Sequence, residues 1–512
     1  MTFLNKSYEP KEFEKEIAEK WESSEVFHAK LDSEKPSFTI SMPPPNATGQ
    51  LHIGHAVMLV LEDIFSRWKR MDGYEVLWLP GTDHAAIATE NVVLQKIKSE
   101  EGISEPRMSL GREEVLRRIE TYVKNSQGTI RNQIKALGSS CDWSRERYTM
   151  DNQLNRCVNE TFKRMYDDGL IFRGPRIVNW DPILKTNVSD DEVERKETRS
   201  PFYTLQYGPF RIGTVRPETK FGDKYVVMHP EDIRYKKYNH GDTIDCEWIN
   251  GRVTATIIKD NVVDPDFGTG VMTITPWHDH IDFGIAERHG LDKEQIIDFE
   301  GKLLPIANEF EGLSIEQARP KIVEKLKNKG LLVNIDSEYS HNKSYNSRGG
   351  GAIEPQIRDQ WFIDVNKKSV EWKGKKLSLK EIMIDVIISG DIKLVPERFK
   401  STYFYWIENL QDWCISRQIW WGHRVPVFYR NEETKVSIFK LDAKDGWKQD
   451  PDTLDTWFSS ALWTWSTLID PELAKNNLLT FKELLKGSSD FQKFHPTDIM
   501  ETGYDILFFL GS

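Results

Sequence analysis

The sequence predicts an α/β protein, a Rossmann-like parallel-sheet core split by a β-rich insertion. An apolar run from Phe38 to Met42 reads as a buried strand, and a Pro/Gly-rich turn leads from it into a helical pattern ending at about Lys69. A second strand, Glu75 to Leu79, runs into the polar turn Pro80-Gly81-Thr82-Asp83-His84. Strand, helix and strand with a polar turn at the strand's carboxyl end make half of a doubly wound sheet, and such turns face a ligand crevice. From about Ser200 to Asn342 the texture changes to short β-rich runs broken by Gly, Pro and Asp, the signature of a compact strand-rich insertion.

The elements follow in order. Residues 10 to 27 read as an amphipathic helix, with Pro10 at its start and Phe13, Ile17 and Trp21 on one stripe. The strand, turn, helix and second strand come next, and helical segments then run to about Asp168. In the middle, strands are expected at Phe210 to Val215, Tyr225 to Met228, Val253 to Ile258 and Val271 to Thr275. The α/β pattern resumes after Gly349-Gly350-Gly351, where tryptophans crowd the chain; most of these are core or cleft packing.

The turn after the first strand carries the chemistry: Pro43-Pro44-Pro45-Asn46-Ala47-Thr48-Gly49-Gln50-Leu51-His52-Ile53-Gly54-His55. The first amides of a helix lack intrahelical partners and sit at its positive end, so phosphates can bind there. His52 and His55 are three apart and share one face of the first turn. Gly49 and Gly54 let backbone and a flat ring approach closely. An imidazole pair at that point suits charge developing on a leaving pyrophosphate, which points to nucleotidyl transfer from ATP. The competing readings are two partly buried polar residues, or half of a metal site.

Composition narrows the classes. The 512 residues, 38% of them hydrophobic, suffice for about three globular domains. No apolar run approaches the ~18 residues of a membrane span, and Met1 to Lys20 lacks the apolar centre of a signal peptide. Cys141, Cys157, Cys246 and Cys414 lie far apart, so neither a zinc knuckle nor a disulfide framework is indicated, and a cytoplasmic protein is expected. A net charge of -11 argues against a generally basic nucleic-acid coat. Any RNA contact would come from local patches such as Lys367, Lys368, Lys373, Lys375 and Lys376.

Eight blocks together resemble the valyl-tRNA synthetases among the class I aminoacyl-tRNA synthetases. They are Pro43 to His55, Gly81 to Thr89, Ser140 to Arg147, Val178 to Pro182, Thr214 to Thr219, Ser416 to Arg424, Asp455 to Ser460 and Glu501 to Ile506. They occur in the family's order over essentially the whole chain. The resemblance implies an N-terminal helical segment (1–36), the first half of a Rossmann-like catalytic core (37–194) and a β-rich editing domain (195–345). A connective region with an incomplete second half of the core (346–512) would follow.

It also implies roles. His52 and His55 match the family's HIGH motif, which with Gly49 and Gly54 would bind ATP and stabilise its phosphates in the transition state. Asp83 would hold the ammonium of valine through a charge-assisted bond, although a lone Asp in a turn is more often a capping carboxylate. Pro44 and Asn46 would frame the substrate, with Trp457 and Ile506 as the apolar wall against its methyls. Arg417 and Trp421 are left to the structural surround. Partners would be valine, ATP with accompanying Mg2+, and tRNA(Val), acted on by a monomer; no zinc site is evident.

Threonine is nearly the shape of valine, and a pocket rejects an isostere that merely adds a hydroxyl only weakly, a rule whose standard illustration is this very family. The resemblance therefore implies hydrolysis of threonyl-tRNA in the inserted domain. Arg216 and Thr219 match one wall of that site, and Thr275, Asp279 and Asp282 the other, with Asp282 binding the misattached amino group.

Departures from the family pattern accompany these matches. The sequence stops at Ser512, before any lysine-bearing KMSKS loop or helical anticodon-binding domain, so activation reduced by about 10²–10³ is expected. Leu510 stands where a pocket tryptophan is usual, and Thr273 where the editing loop usually has lysine. The alternatives are an editing-only hydrolase of misacylated tRNA, an inactive tRNA-binding paralogue, or a stand-alone nucleotidyltransferase sharing the helix start.

Overall fold

The computed structural model describes residues 8–503, and the chain forms two compact units, one of Met1–Arg173 with Trp361–Ser512, the other of Gly174–Gln360. The first begins with helix α1 (Pro10–Ser23). It stops at Ser23, short of the expected 27, because Glu25 takes φ +51°, outside helical space. None of its residues is buried, and Phe13 and Ile17 are each 40% exposed.

Strand β1 (Ser37–Ser41), helix α2 (Ile53–Met71) and strand β2 (Glu75–Leu79) form the expected parallel crossover, with Ile40 opposite Trp78. On the other side of β1, Ile499 bridges Ile40 in parallel, and Asp498 N donates to Thr39 O at 2.8 Å. The chain thus returns, after the whole interruption, to extend the same sheet. Ile40, Met42, Leu59, Val76, Trp78, Ile130 and Ile134 fill the core there, each large side chain contributing about 1.5–3 kcal/mol of burial.

The polar turn after β2 continues as β3 (Gly81–Thr82), followed by α3 (Ala86–Glu101) and α4 (Pro106–Ala136), the latter kinked at Gly111. β3 pairs in parallel with β4 (Arg147–Tyr148), and α5 (Asn152–Asp167) follows. Gly81 is required by close approach, since a Cβ there would lie 2.4 Å from the Trp463 ring and 2.5 Å from Arg147 O. On α4, Val115, Ile119 and Val123 recur every fourth residue and meet Val93 and Ile97 of α3.

The second unit is strand-rich. It contains most of β5 (Ile171–Asp181), then β6 (Thr186–Val188), β7 (Val193–Arg199), β8 (Phe202–Tyr207) and β9 (Phe210–Thr214). Next are β10 (Tyr225–Met228), β11 (Thr243–Trp248), β12 (Gly251–Lys259) and β13 (Val271–Thr273). Helices α6 (His280–His289) and α7 (Ile315–Asn328) precede β14 (Leu332–Asp336), β15 (Ser340–Asn346) and β16 (Glu354–Ile363).

One sheet has the order β11-β12-β10-β13 and another β14-β8-β9. Alternate residues of β8 and β9 are buried, the mark of half-covered strands. Tyr203, Leu205, Phe210, Ile212, Val226 and Ile257 join Ala318, Ile322 and Leu326 of α7 in one core. The unit's bounds, 174 and 360, are wider than the 195 and 345 read from the sequence. The added strands are tied to it: β5 pairs with β6, β7 with β15, and Asn346 Nδ2 donates to Asp181 Oδ2 at 2.7 Å. Among the described residues, no helix is long and apolar enough to cross a membrane.

Candidate functional sites

In the first unit, the turn after β1 and the turn after β2 are joined backbone to backbone. Asp83 N donates to Pro45 O at 2.9 Å and Ala47 N to Asp83 O at 2.8 Å, so Asn46 and Asp83 lie side by side as a parallel bridge. Helix α4 holds the same turn from below: Tyr122 OH donates to Thr48 O at 2.6 Å, and Leu51 N to Gln133 Oε1 at 2.8 Å. Pro44 is half-buried and Asn46 exposed, while Gly49 has φ +153° with open space around its Cα.

His52 is not within the first turn of α2 but caps it. Its Nδ1 accepts from Gly54 N at 3.1 Å, and its own backbone N–H donates to His55 Nδ1 at 3.3 Å, a reciprocal capping box. The two rings lie 4.0 Å apart between centroids. Gly54 is needed because a Cβ there would come within 2.9 Å of the His52 ring. With both Nδ1 atoms accepting, each imidazole presents Nε2–H outward. Burial and the neighbouring His52 push His55 below the usual imidazole range, so it is neutral at pH 7.

Asp83 is 4% exposed. Its Oδ1 accepts from Ala85 N at 2.7 Å, the capping role any turn aspartate can play, and its Oδ2 accepts from Ser460 Oγ at 2.6 Å. Ala85 takes φ +48°, a strained conformation for a residue with a Cβ. Ser460 ends the short helix Thr456–Ser460, three residues from Trp457 and on the same face. That helix is capped by Asp455, whose Oδ1 accepts from Trp457 N at 3.2 Å and whose buried carboxylate pairs with the buried guanidinium of Arg417. Trp421 Nε1 donates to His84 O at 3.0 Å. Ser460 was missed as a site residue, although it lies inside the matched block ending there. Ile506 and Leu510 lie outside the described residues.

The second unit brings its two sequence-matched loops together. Arg216 Nη2 reaches both oxygens of Glu354 at 2.6 Å, its Nε lies 3.3 Å from Glu218 Oε1, and its Nη1 donates to His278 O at 3.4 Å. Burial works against its charge, but Glu354 and Glu218 outweigh it and hold the guanidinium protonated. Arg216 thus braces the loops through Glu354. Thr219 Oγ1 donates to Arg216 O at 3.0 Å.

On the facing loop, Asp279 caps α6, accepting from Ile281 N at 2.8 Å and Asp282 N at 3.1 Å. Asp282 is buried, and its Oδ2 accepts from Thr275 N at 2.7 Å. Burial first, then Asp279, raise its carboxyl above the usual range, while Lys220 opposes them. Lys220 itself, unremarked in the sequence reading, donates from Nζ to Thr273 Oγ1 at 3.1 Å.

These two sites sit in a chain matched by the family model of tRNA synthetases class I (I, L, M and V) over residues 16–445 and 434–510. The chain belongs to that family. Within it, the chain is similar to the valine–tRNA ligase of Clostridium tetani, 42% identical over 519 residues that cover 99% of this chain and 55% of the relative. The valine–tRNA ligase of Protochlamydia amoebophila is 42% identical over 526 residues, covering 99% of this chain and 52% of the relative. The chain spans about half the length of these curated relatives. Among solved structures, the ternary complex of Agrobacterium radiobacter K84 LeuRS with tRNA and LeuAMS aligns with a TM-score of 0.47 at 17% identity, covering 98% of this chain and 64% of that one.

Proposed function

We propose that this chain activates valine with ATP for transfer to tRNA(Val), and that its 174–360 unit hydrolyses threonine from mischarged tRNA(Val). The observation that carries the first activity is the backbone junction of the Asn46 and Asp83 turns, directly before the histidine-capped start of α2. The naming of the relatives as valine–tRNA ligases supports the choice of amino acid.

In this reading, the carboxylate of valine attacks the α-phosphorus of ATP. A C(O)–O–P bond forms, and the bond to pyrophosphate breaks, the electron pair leaving with it. The Nε2–H groups of His52 and His55, at a positive helix end, hydrogen-bond the oxygens that gain charge. Asp83, fixed by Ala85 N and Ser460 Oγ, receives the valine ammonium beside Asn46 and Pro44, and Trp457 supplies apolar wall. Among the described residues no group of His, Cys, Asp or Glu converges as a metal ligand set, and Mg2+ accompanying ATP would be held by its phosphates and water.

In the second unit, water adds to the acyl carbon of threonyl-tRNA, and the ester bond to the ribose breaks. The proton goes to the ribose oxygen. Asp282 would hold the amino group of the threonine, supported by its burial beside Thr275 and Asp279. Four cysteines far apart in the sequence fit a reducing, cytoplasmic setting.

Calorimetric titration with a non-hydrolysable valyl-adenylate analogue tests the first activity. We expect tight binding that Asp83→Ala removes; equal binding by that variant overturns it. Deacylation of threonyl-tRNA(Val) well above that of valyl-tRNA(Val) is expected of the second, and equal rates overturn it.

A further inference from the structure

We infer that Thr149 and Thr89 are positioning residues for Asp83: their hydroxyls hold the backbone of His84 from two sides and so aim the Ala85 amide at one oxygen of the carboxylate. This deepens the reading of Asp83 as the acceptor of the valine ammonium, and rests on it.

The two oxygens of Asp83 are held in different ways. Ser460 reaches Oδ2 with a side chain from a helix far along the sequence. Oδ1 accepts from Ala85 N at 2.7 Å, only two residues on. That amide points back at the carboxylate because the chain turns sharply, with Ala85 at φ +48° and ψ +38°. A residue with a Cβ keeps such a conformation only where its surroundings over-determine it.

Those surroundings act through His84, which is fully buried. Its N–H donates to Thr149 Oγ1 at 2.9 Å, which fixes the peptide plane between Asp83 and His84. Its carbonyl accepts from Thr89 Oγ1 at 2.7 Å and from Trp421 Nε1 at 3.0 Å. The peptide is planar, so holding that carbonyl also sets the direction of Ala85 N–H. The imidazole adds a further tie, with Nδ1 2.8 Å from Thr149 Oγ1 and 3.3 Å from Asp83 Oδ1.

Thr149 is itself anchored. Its N donates to Thr82 O at 3.2 Å, and its carbonyl lies 2.7 Å from His423 Nε2. A carbonyl only accepts, so Nε2 of His423 carries the proton, and Nδ1 accepts from Asn155 Nδ2 at 2.9 Å. Thr149 is thus tied to α5 through Asn155 and to the Ser416 to Arg424 block through His423. Thr89 lies in the first turn of α3. Both threonines are fully buried with their hydroxyls engaged by His84, so they act on valine through Asp83.

The test is calorimetric titration of the full chain with two probes. One is the sulfamoyl analogue of valyl-adenylate; the other is its isovaleryl counterpart, in which hydrogen replaces the ammonium. Only the first engages Asp83 by charge, so the ratio of the two affinities reads how well the carboxylate is aimed. Thr149→Val and Thr89→Val nearly keep the side-chain shape and lose the hydroxyl; Thr149→Ser and Thr89→Ser restore it. Each valine variant should bind the valyl analogue about tenfold more weakly, the scale of one hydrogen bond to a charged group, and the isovaleryl analogue within about twofold of wild type. The serine variants should recover. Because the two threonines hold different peptides, either valine variant decides the matter should the other fail to fold.

A second readout is hydrogen exchange at the Ala85 amide, which the Asp83 carboxylate protects. It should be about tenfold faster in the valine variants, with the central amides of α4 unchanged. Equal weakening of both probes, or no weakening of either, overturns the inference. A wild-type chain that binds both probes alike overturns the role of Asp83 toward valine alone, and exchange then decides separately. Faster exchange at Ala85 in the variants upholds the positioning of Asp83, and unchanged exchange overturns it.

Discussion

Ser460 Oγ donates a 2.6 Å hydrogen bond to Asp83 Oδ2, joining residues 377 positions apart in the sequence. Both side chains are buried, so the serine orients the carboxylate through a charge-assisted bond. Ser460→Ala should weaken binding of the valyl-adenylate analogue by roughly tenfold or more, because a hydrogen bond to a charged group contributes about 1.5–3 kcal/mol. Calorimetric titration measures this; an unchanged affinity would mean that Asp83 is oriented without Ser460.

His55→Ala separates chemistry from capping. The variant loses the acceptor for His52 N and one Nε2–H donor. Adenylate formation, followed by valine-dependent exchange of pyrophosphate into ATP, should fall about 10²–10³-fold. Thermal melting should show the loss of only one cap, about 1 kcal/mol. Unfolding of the variant would place His55 in the core instead.

Asp282→Ala should leave binding of the adenylate analogue in the other unit untouched and abolish clearance of threonyl-tRNA. Gel analysis of acylated tRNA over time reads both arms. Clearance at the wild-type rate would remove Asp282 from the hydrolytic site.

Glu62 gives a stability prediction. It is 1% exposed, accepts from Trp78 Nε1 at 2.8 Å, and its other oxygen has no hydrogen-bond partner. Burial, opposed by the Trp78 hydrogen bond and aided by Glu501, raises its carboxyl to about 8. A raised carboxyl binds its proton more tightly folded than unfolded. Its stabilisation is complete below the unfolded value near 4.5 and is lost as pH rises through 8. Glu62→Gln keeps an acceptor for Trp78 and has nothing to ionise. Wild-type melting should therefore decline between pH 5 and 8.5 by an amount on the order of a few kcal/mol, and the variant's curve should be flatter. Parallel curves would exclude Glu62 as the cause.

What the sequence made legible was whatever depends on neighbours in the chain. Strands Glu75–Leu79 and Tyr225–Met228 stand where their apolar runs placed them, because such runs are bounded by turn residues on both sides. The helix from Pro10 was read too far, since nothing in its polar last turn announces that Glu25 adopts positive φ. The α/β class followed from two strand ends and a helix start. The supports of the candidate sites were not legible. Ser460 to Asp83, Arg216 to Glu354 and Lys220 to Thr273 are pairings across 377, 138 and 53 residues, and no periodicity records which distant side chain will meet which.

The return of Ile499 to β1 has a consequence for how this polypeptide is made. At about 5–20 residues per second, roughly 20 to 75 seconds of translation separate Asp83 from Ser460, which lies 377 positions later. During that interval all of 174–360 leaves the ribosome with every strand partner it needs. β1 and β2, made first, still lack their third neighbour. This early-made sheet therefore keeps an apolar edge open until well after the 174–360 unit has been synthesised, and exposed strand edges of that kind are aggregation-prone in a nascent chain.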